Sequence, residues 1–477
     1  MLRDLRKTGL NLITGILCCE GLFVFAVVLY QGIIHNNALY WVEAQLQNIY
    51  TYALLPWGVG LSLVRLERVR SHGGAGGGDV TLLFLLFLWI VIPMLWRFGA
   101  TFNNMATNAG YAAVFFGVYA SVSERSEEEK QQQLEGVSLL FSLTGVVWGG
   151  LLLYCAATGR TISSGVGTPI GVVKGYLYGG EHYNIAGMSA ICCLYFSILC
   201  VLSGRSAVLR LLGFVSSVIL VLVVILTQSR TSRYVMILTC AAAVWVRLAG
   251  GRKEPARQVI GILCAAAVLV AGYALCQGIN RLALSHYQNL EAGRPAGIVA
   301  AADAQSAEDE QPAAPAPAEA VPGKNVPRQA VDSTFSDRTN LWKNLFDLWK
   351  KEPSKMLIGR GIGNTGSLIV EGTVHEQDGS SAVHNTYLQF MADFGLVGFL
   401  LQAAFLLLVL WPLLLEFVRG RMTGSRVTLF LLIGAILLTG FMESQPLGQM
   451  TPMNVVLFYA MAILHRPRQT GGERRPI

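Results

Sequence analysis

Ser381-Ala-Val-His-Asn-Thr-Tyr-Leu-Gln-Phe-Met-Ala-Asp-Phe-Gly-Leu-Val-Gly-Phe-Leu400 decides the architecture. It opens polar, with a histidine at position 384, and within a few residues becomes an apolar run that continues to residue 416. About 20 apolar residues in a helix cross a hydrocarbon layer of ~30 Å, so this is where a long polar loop enters a membrane span. Similar runs recur at 12–34, 48–64, 80–97, 105–122, 137–157, 184–203, 212–228, 234–249, 258–277, 387–416, 427–441 and 452–464. Composition agrees, since 53% of the 477 residues are hydrophobic and 14% charged, against about 25% charged in an ordinary soluble protein. The expected fold is an all-α polytopic membrane protein with about 12 transmembrane helices and one large external loop between spans 9 and 10.

Three regions follow. Residues 1–280 carry spans 1–9, 281–386 form the external loop, and 387–477 carry spans 10–12 and a cytoplasmic tail. The first run is read as a retained span, because its apolar core exceeds the usual 7–15 residues of a signal peptide and no small-x-small site follows. Formal net charge is +7, and the placement of the cations is more telling than the sum. Arg3, Arg6, Lys7, Arg65, Arg68, Arg70, Arg247, Arg252, Lys253, Arg257, Arg419, Arg421, Arg426, Arg466, Arg468, Arg474 and Arg475 all fall on one side when twelve spans are threaded in order. The positive-inside rule makes that side cytoplasmic. Both termini are then inside and the long loop is outside. The nine cysteines lie in spans or at their edges, so no disulfide framework or metal-ligand spacing is offered.

Within the loop, residues 291–330 form an Ala/Pro-rich insert with scattered charges, too poor in apolar surface to offset its ordering entropy, and are expected to be disordered. An amphipathic helix is expected over 337–351, capped by Asp337 and ended before Pro353. Leu341, Trp342, Leu345, Phe346 and Trp349 form one face, suited to the membrane interface or to the top of the bundle.

Three groups of residues could carry chemistry. Arg230 and Arg233 lie in the few residues between spans 7 and 8, where a guanidinium near bilayer depth is costly unless paired. A guanidinium fork matches phosphate oxygens bidentately; a snorkelling interfacial arginine is the plainer reading. Arg338 lies in the first turn of the loop helix, where free N–H groups and the helix dipole already favour an anion; otherwise it is a solvated charge. His384 is followed by Asn385 and Tyr387 at a helix start, and its imidazole could accept a proton from a hydroxyl, or could simply be a polar helix-start residue. His375, beside Glu376 and Asp378, is its rival. Gly359-Arg-Gly-Ile-Gly363 lacks a nucleotide-binding spacing and context, and is expected to be a tight turn that brings N–H groups to a ligand. No external Asp-x-Asp pair outside the insert suggests a sugar-nucleotide metal site, and no metal is expected.

A Ser-Arg between two spans, a large outer loop with Arg338-x-x-x-Trp342 and a Gly-x-Gly-x-Gly turn, then His384-Asn-x-Tyr-Leu388 and Phe394-Gly-x-x-Gly398 leading into a span, resembles the superfamily of O-antigen ligases and O-antigen polymerases. These are bacterial membrane glycosyltransferases, and the motif-bearing part runs from Thr227 to Leu400. The resemblance implies an undecaprenyl diphosphate-linked glycan as donor, a glycolipid or glycan acceptor, the bacterial cytoplasmic membrane as location, and no metal, cofactor or nucleic acid. It also allows other envelope-polysaccharide assembly proteins as partners. It implies that Arg230 and Arg338 bind the diphosphate and that His384 is the base, with Arg233 as a further diphosphate contact and Asn385 and Tyr387 in support. A ligase is favoured by the single large loop; a polymerase shares the motifs. The absence of a large C-terminal soluble domain argues against protein glycosylation. A non-enzymatic transporter or flippase of lipid-linked glycans is the alternative of another class.

Overall fold

The computed structural model describes residues 78–96, 116–119, 122–123, 125–162, 170–173, 175–179, 183–249, 254–292, 333–361, 365–369, 383–422, 424–441, 443 and 452–465. In chain order these form α1 (Gly78–Trp96), α2 (Glu127–Thr158), β1 (Thr161–Ile162), β2 (Ile170–Val173), β3 (Tyr176–Gly179) and α3 (Tyr183–Ser203). Then come α4 (Ala207–Leu226), α5 (Arg230–Ala249), α6 (Pro255–Ala292), α7 (Ser333–Lys351), α8 (Pro353–Ile358), α9 (Gly366–Ile369), α10 (Thr386–Val418), α11 (Gly424–Thr439) and α12 (Pro452–Leu464). Among the described residues six helices, α2 to α6 and α10, are long and apolar enough to cross a membrane. The chain is a polytopic membrane protein. Helices stand at nine of the expected runs; those at 12–34 and 48–64 lie outside the described residues, as do most of 105–122 and nearly all of the Ala/Pro-rich insert.

Three expectations need correction. The fold is mostly helical rather than all-α, because Thr161–Ile162, Ile170–Val173 and Tyr176–Gly179 form a three-stranded antiparallel sheet in the order β1-β2-β3. Its strands are rich in Ile, Val and Tyr, which suit a pleated, half-buried surface. Gly175 (φ 83°) supplies the positive φ needed between β2 and β3. The helix of span 9 does not stop near residue 277: α6 continues to Ala292, making a helix roughly 57 Å long at 1.5 Å per residue. Its far end reaches back over the sheet region, where His286 Nε2 lies 2.9 Å from the Ala157 carbonyl oxygen. Finally, Asp337 is not a helix cap, since α7 starts at Ser333.

α3 is the centre of the bundle, packed against α2, α4, α5, α11 and α12. Phe196 stacks on Phe141 of α2 with ring centroids 4.5 Å apart. With lipid outside as apolar as the core, helices associate through close packing, and small residues let backbones approach. At Gly187 an added Cβ would lie 2.6 Å from Ser232 Oγ of α5. Outward faces are apolar: Val208, Leu211 and Phe214 of α4, and Ile262, Leu263 and Val270 of α6 are exposed. In water such patches would be a liability; against acyl chains they are at home.

The Gly-Arg-Gly turn has a different use from the one expected. The N–H groups of Arg360 and Gly361 fill a break in α10. At Gly395 (φ 72°, ψ 179°) that helix is kinked, so carbonyls before the kink lose their helical partners. Arg360 N–H donates to Ala392 O at 2.9 Å and Gly361 N–H to Asp393 O at 2.8 Å. A Cβ on Gly359 would collide with Asp393 O, and one on Gly395 with Leu357 O. Two glycines in the left-handed region are therefore what lets the loop segment dock on α10.

Candidate functional site

The site lies at the end of the bundle where α10 begins. α7 is laid on that end by one face: Leu341, Leu345 and Trp349 are buried against Ile369, Val383 and Ala392. Phe346, expected on the same face, is 46% exposed. Trp342 Nε1–H donates to Val383 O at 3.0 Å, pinning α7 to the residue just before His384. The opposite face is charged and solvated; a hydrogen bond from Lys350 holds the Asp347 carboxyl below the usual carboxylate range.

His384 has φ 52°, and with Gln228 (φ 56°) it is one of two non-glycine residues at positive φ among those described. This conformation is uncommon for a residue with a Cβ, though histidine, asparagine and aspartate tolerate it better than most. Asn385 then takes extended geometry and caps α10, its side-chain oxygen accepting from the N–H groups of Tyr387 and Leu388, both at 3.0 Å. At this abrupt change of direction the His384 side chain is 22% exposed.

Residues 440, 441 and 443, after α11, are stitched to this start. Thr386 N–H donates to Gly440 O at 2.7 Å. Asn385 Nδ2 donates to Phe441 O at 3.2 Å, and Thr386 Oγ1 to Glu443 O at 2.8 Å. Tyr387 donates to Leu437 O at 2.7 Å. The stitch delivers Glu443, whose carboxylate joins the two candidates: Arg338 Nη2 lies 3.3 Å from its Oε1, and His384 Nδ1 lies 3.8 Å from its Oε2. The first is a charge-assisted hydrogen bond; the second is within ion-pair range but beyond hydrogen-bonding distance. Arg338 and Glu443 are 18% and 13% exposed, so their interaction is only partly screened by water.

Arg230 and Arg233 stand apart from this cluster. Arg230 is the exposed first residue of α5. Arg233 is turned into the protein: its guanidinium donates to Gln228 O at 3.1 Å and to Ser229 O at 3.4 Å. It also donates to the Asn280 amide of α6, whose orientation is assigned from that contact. The arginine pair nonetheless belongs to the same end of the bundle. Gln228 Nε2 donates to Gly175 O at 2.5 Å in the β2–β3 turn, and Tyr176 of that hairpin stacks on Tyr183 with centroids 4.5 Å apart. Tyr183, the first residue of α3, lies in electrostatic range of both Glu443 and Arg338. His375 lies outside the described residues.

Just beneath the stitch, a small cleft of about 20 Å³ opens between α10, α11 and α12, lined by Thr386, Tyr387, Ile436, Leu437, Met453 and Asn454 among others. Sequence reasoning missed both Glu443 and the tyrosine hairpin. Glu443 sits in Phe441-Met-Glu-Ser-Gln445, a short polar interruption with no motif around it; an acidic residue just past an apolar helix was the one available signal.

A bundle of apolar helices carrying a half-buried arginine, histidine and carboxylate at one end defines a polytopic membrane protein with a cluster of ionisable side chains as its candidate site. Residues 215–403 match the family model described as O-antigen ligase (Wzy_C). The chain carries a domain of the O-antigen ligase family over those residues. The match includes Arg230, Arg233, Arg338, His384, Asn385 and Tyr387 and stops short of Glu443. Comparisons with curated proteins and with solved structures give no match.

Proposed function

We propose that the chain is an O-antigen ligase-type glycosyltransferase that moves a glycan from undecaprenyl diphosphate to a sugar hydroxyl, without metal and with inversion. The observation that carries this reading is the meeting of Arg338 and His384 on one carboxylate at the mouth of the bundle. The acceptor oxygen attacks the anomeric carbon while its proton passes to the ring nitrogen of His384 facing away from Glu443. The bond from that carbon to the diphosphate breaks, and its electron pair stays on the leaving oxygen. Arg338 and Arg230 hold the charge that develops there; one such donor in a water-poor site is worth about 3 kcal/mol. Arg233, with its guanidinium committed to the Gln228 and Ser229 carbonyls, keeps the short α4–α5 connection in shape so that Arg230 projects.

The site end faces outward in this reading. Arg205, Arg210, Arg247, Arg257, Arg419, Arg421 and Arg426 all lie at the opposite end, around the α3–α4, α5–α6 and α10–α11 junctions, which the positive-inside rule assigns to the cytoplasm. Both termini then lie inside.

The test uses membranes carrying the wild-type chain or its His384→Ala variant, an undecaprenyl diphosphate-linked oligosaccharide, candidate acceptors and no metal. Release of undecaprenyl diphosphate by the wild type alone supports the reading. Equal release by both moves the base elsewhere, and glycan crossing the bilayer without release by either makes the chain a transporter. A single added glycan unit means ligation, and a ladder of products means polymerisation, the alternative within the same family.

A further inference from the structure

Glu443 has no part in the transfer step, yet it sits where an anion should go. We propose that it is a resident anion: its carboxylate holds Arg338 and His384 between turnovers, gives way to the incoming diphosphate, and returns to help expel it. The inference rests on the diphosphate-binding role proposed for Arg338.

The geometry supports competition rather than a fixed brace. One carboxylate reaches both side chains, Oε1 to Arg338 at 3.3 Å and Oε2 to His384 at 3.8 Å. One nitrogen of the fork that would receive phosphate oxygens is thus already engaged by a carboxylate oxygen. A diphosphate on Arg338 would place its charge beside the carboxylate in a site where repulsion is less screened than in water. One anion must then yield.

The backbone decides how. Glu443 N–H donates to Thr439 O at 3.0 Å and Glu443 O accepts from Thr386 Oγ1 at 2.8 Å, while Gly440 and Phe441 are bonded to Thr386 and Asn385. The main chain stays in place, so only the side chain can swing, and it remains close enough to return. Such a device spares the chain a half-buried, uncompensated guanidinium and opposes trapping of the doubly charged product.

A purely structural ion pair predicts that removing Glu443 weakens the site. A competitor predicts the reverse, and that difference is measurable. The full chain in lipid nanodiscs would be titrated with undecaprenyl diphosphate and, separately, with inorganic pyrophosphate. Glu443→Gln should bind both probes about five- to tenfold tighter, with turnover slowed at saturating glycan donor, so that kcat and KM fall together. Glu443→Asp, which keeps the charge on a shorter arm, should fall between the two and serves if the glutamine variant does not fold. In an Arg338→Ala background, Glu443→Gln should have no effect on affinity.

Tightening for the lipid probe alone would overturn the inference by placing the effect at the polyprenyl chain. Unchanged or weaker binding in Glu443→Gln, with Arg338→Ala still losing affinity, would also overturn it and leave the glycosyltransferase reading standing. If Arg338→Ala loses no affinity, or if neither the wild type nor Glu443→Gln binds either probe, Arg338 is not a diphosphate site and both fall.

Discussion

His384 carries two burdens that substitution can separate. Its φ of 52° is a backbone demand; its imidazole is a chemical one. His384→Asn keeps a side chain that tolerates the left-handed region and should leave thermal stability nearly unchanged while cutting transfer by about 100-fold or more. His384→Ala should lose as much activity and, in addition, about 1 kcal/mol of stability from the strained backbone. If the asparagine variant transfers glycan at the wild-type rate, His384 is a structural turn residue and no base. Arg338→Ala should lower turnover by about 100-fold, and Arg338→Lys should recover little of it, because an ammonium cannot reproduce the bidentate fork. A lysine variant with near-normal turnover would show that charge alone suffices there. Arg338 and His384 were legible from sequence as residue types on a loop helix and beside a span, although Arg338, expected in the first turn, is the sixth residue of α7. Glu443 was not, because its partners come from residues 338 and 384 and no local spacing records that meeting.

At the scale of elements, the loop reaches the site through the interlock between the 359–361 turn and the Gly395 kink. Gly395→Ala would force a Cβ toward Leu357 O and a side chain into the left-handed region. It should cost about 2 kcal/mol or more and separate α7 from α10, so that transfer falls sharply although the span still inserts. Melting curves together with a disulfide trap between α7 and α10 would check this; normal trapping and activity would mean the kink is incidental. Gly187→Val tests bundle packing in the same way. Its Cβ would press on Ser232 Oγ at 2.6 Å and Thr227 Oγ1 at 3.1 Å, wedging α3 from α5 beneath Arg230, at a cost of about 1–3 kcal/mol. The amphipathic pattern of α7 was readable because residues three and four apart share a face. Its start was misjudged because Asp337 is a good cap in isolation and the helix simply begins a turn earlier.

For the molecule as a whole, orientation rests on where arginines gather. Alkaline phosphatase, active only outside the cytoplasm, should be inactive when fused after residue 252, between α5 and α6, and active when fused after residue 361. The reverse pattern would turn the site inward, out of reach of any external acceptor, and remove the proposed ligase function. The apolar exterior of α4 and α6 and the length of six helices leave the membrane itself in no doubt.

Hydropathy is a local property, since about 20 apolar residues suffice to make a span whatever surrounds them. The sequence by itself therefore determined the membrane class and the position of most helices. It also determined the family domain, because the arginine, histidine and glycine motifs are short and linear. The small sheet, the overlong α6 and the docking of a glycine turn into a kinked helix were decided by tertiary structure. So was the convergence of Arg338, His384 and Glu443. Each depends on groups far apart in the chain satisfying one another's hydrogen bonds and charges, and only the folded chain brings them within 4 Å.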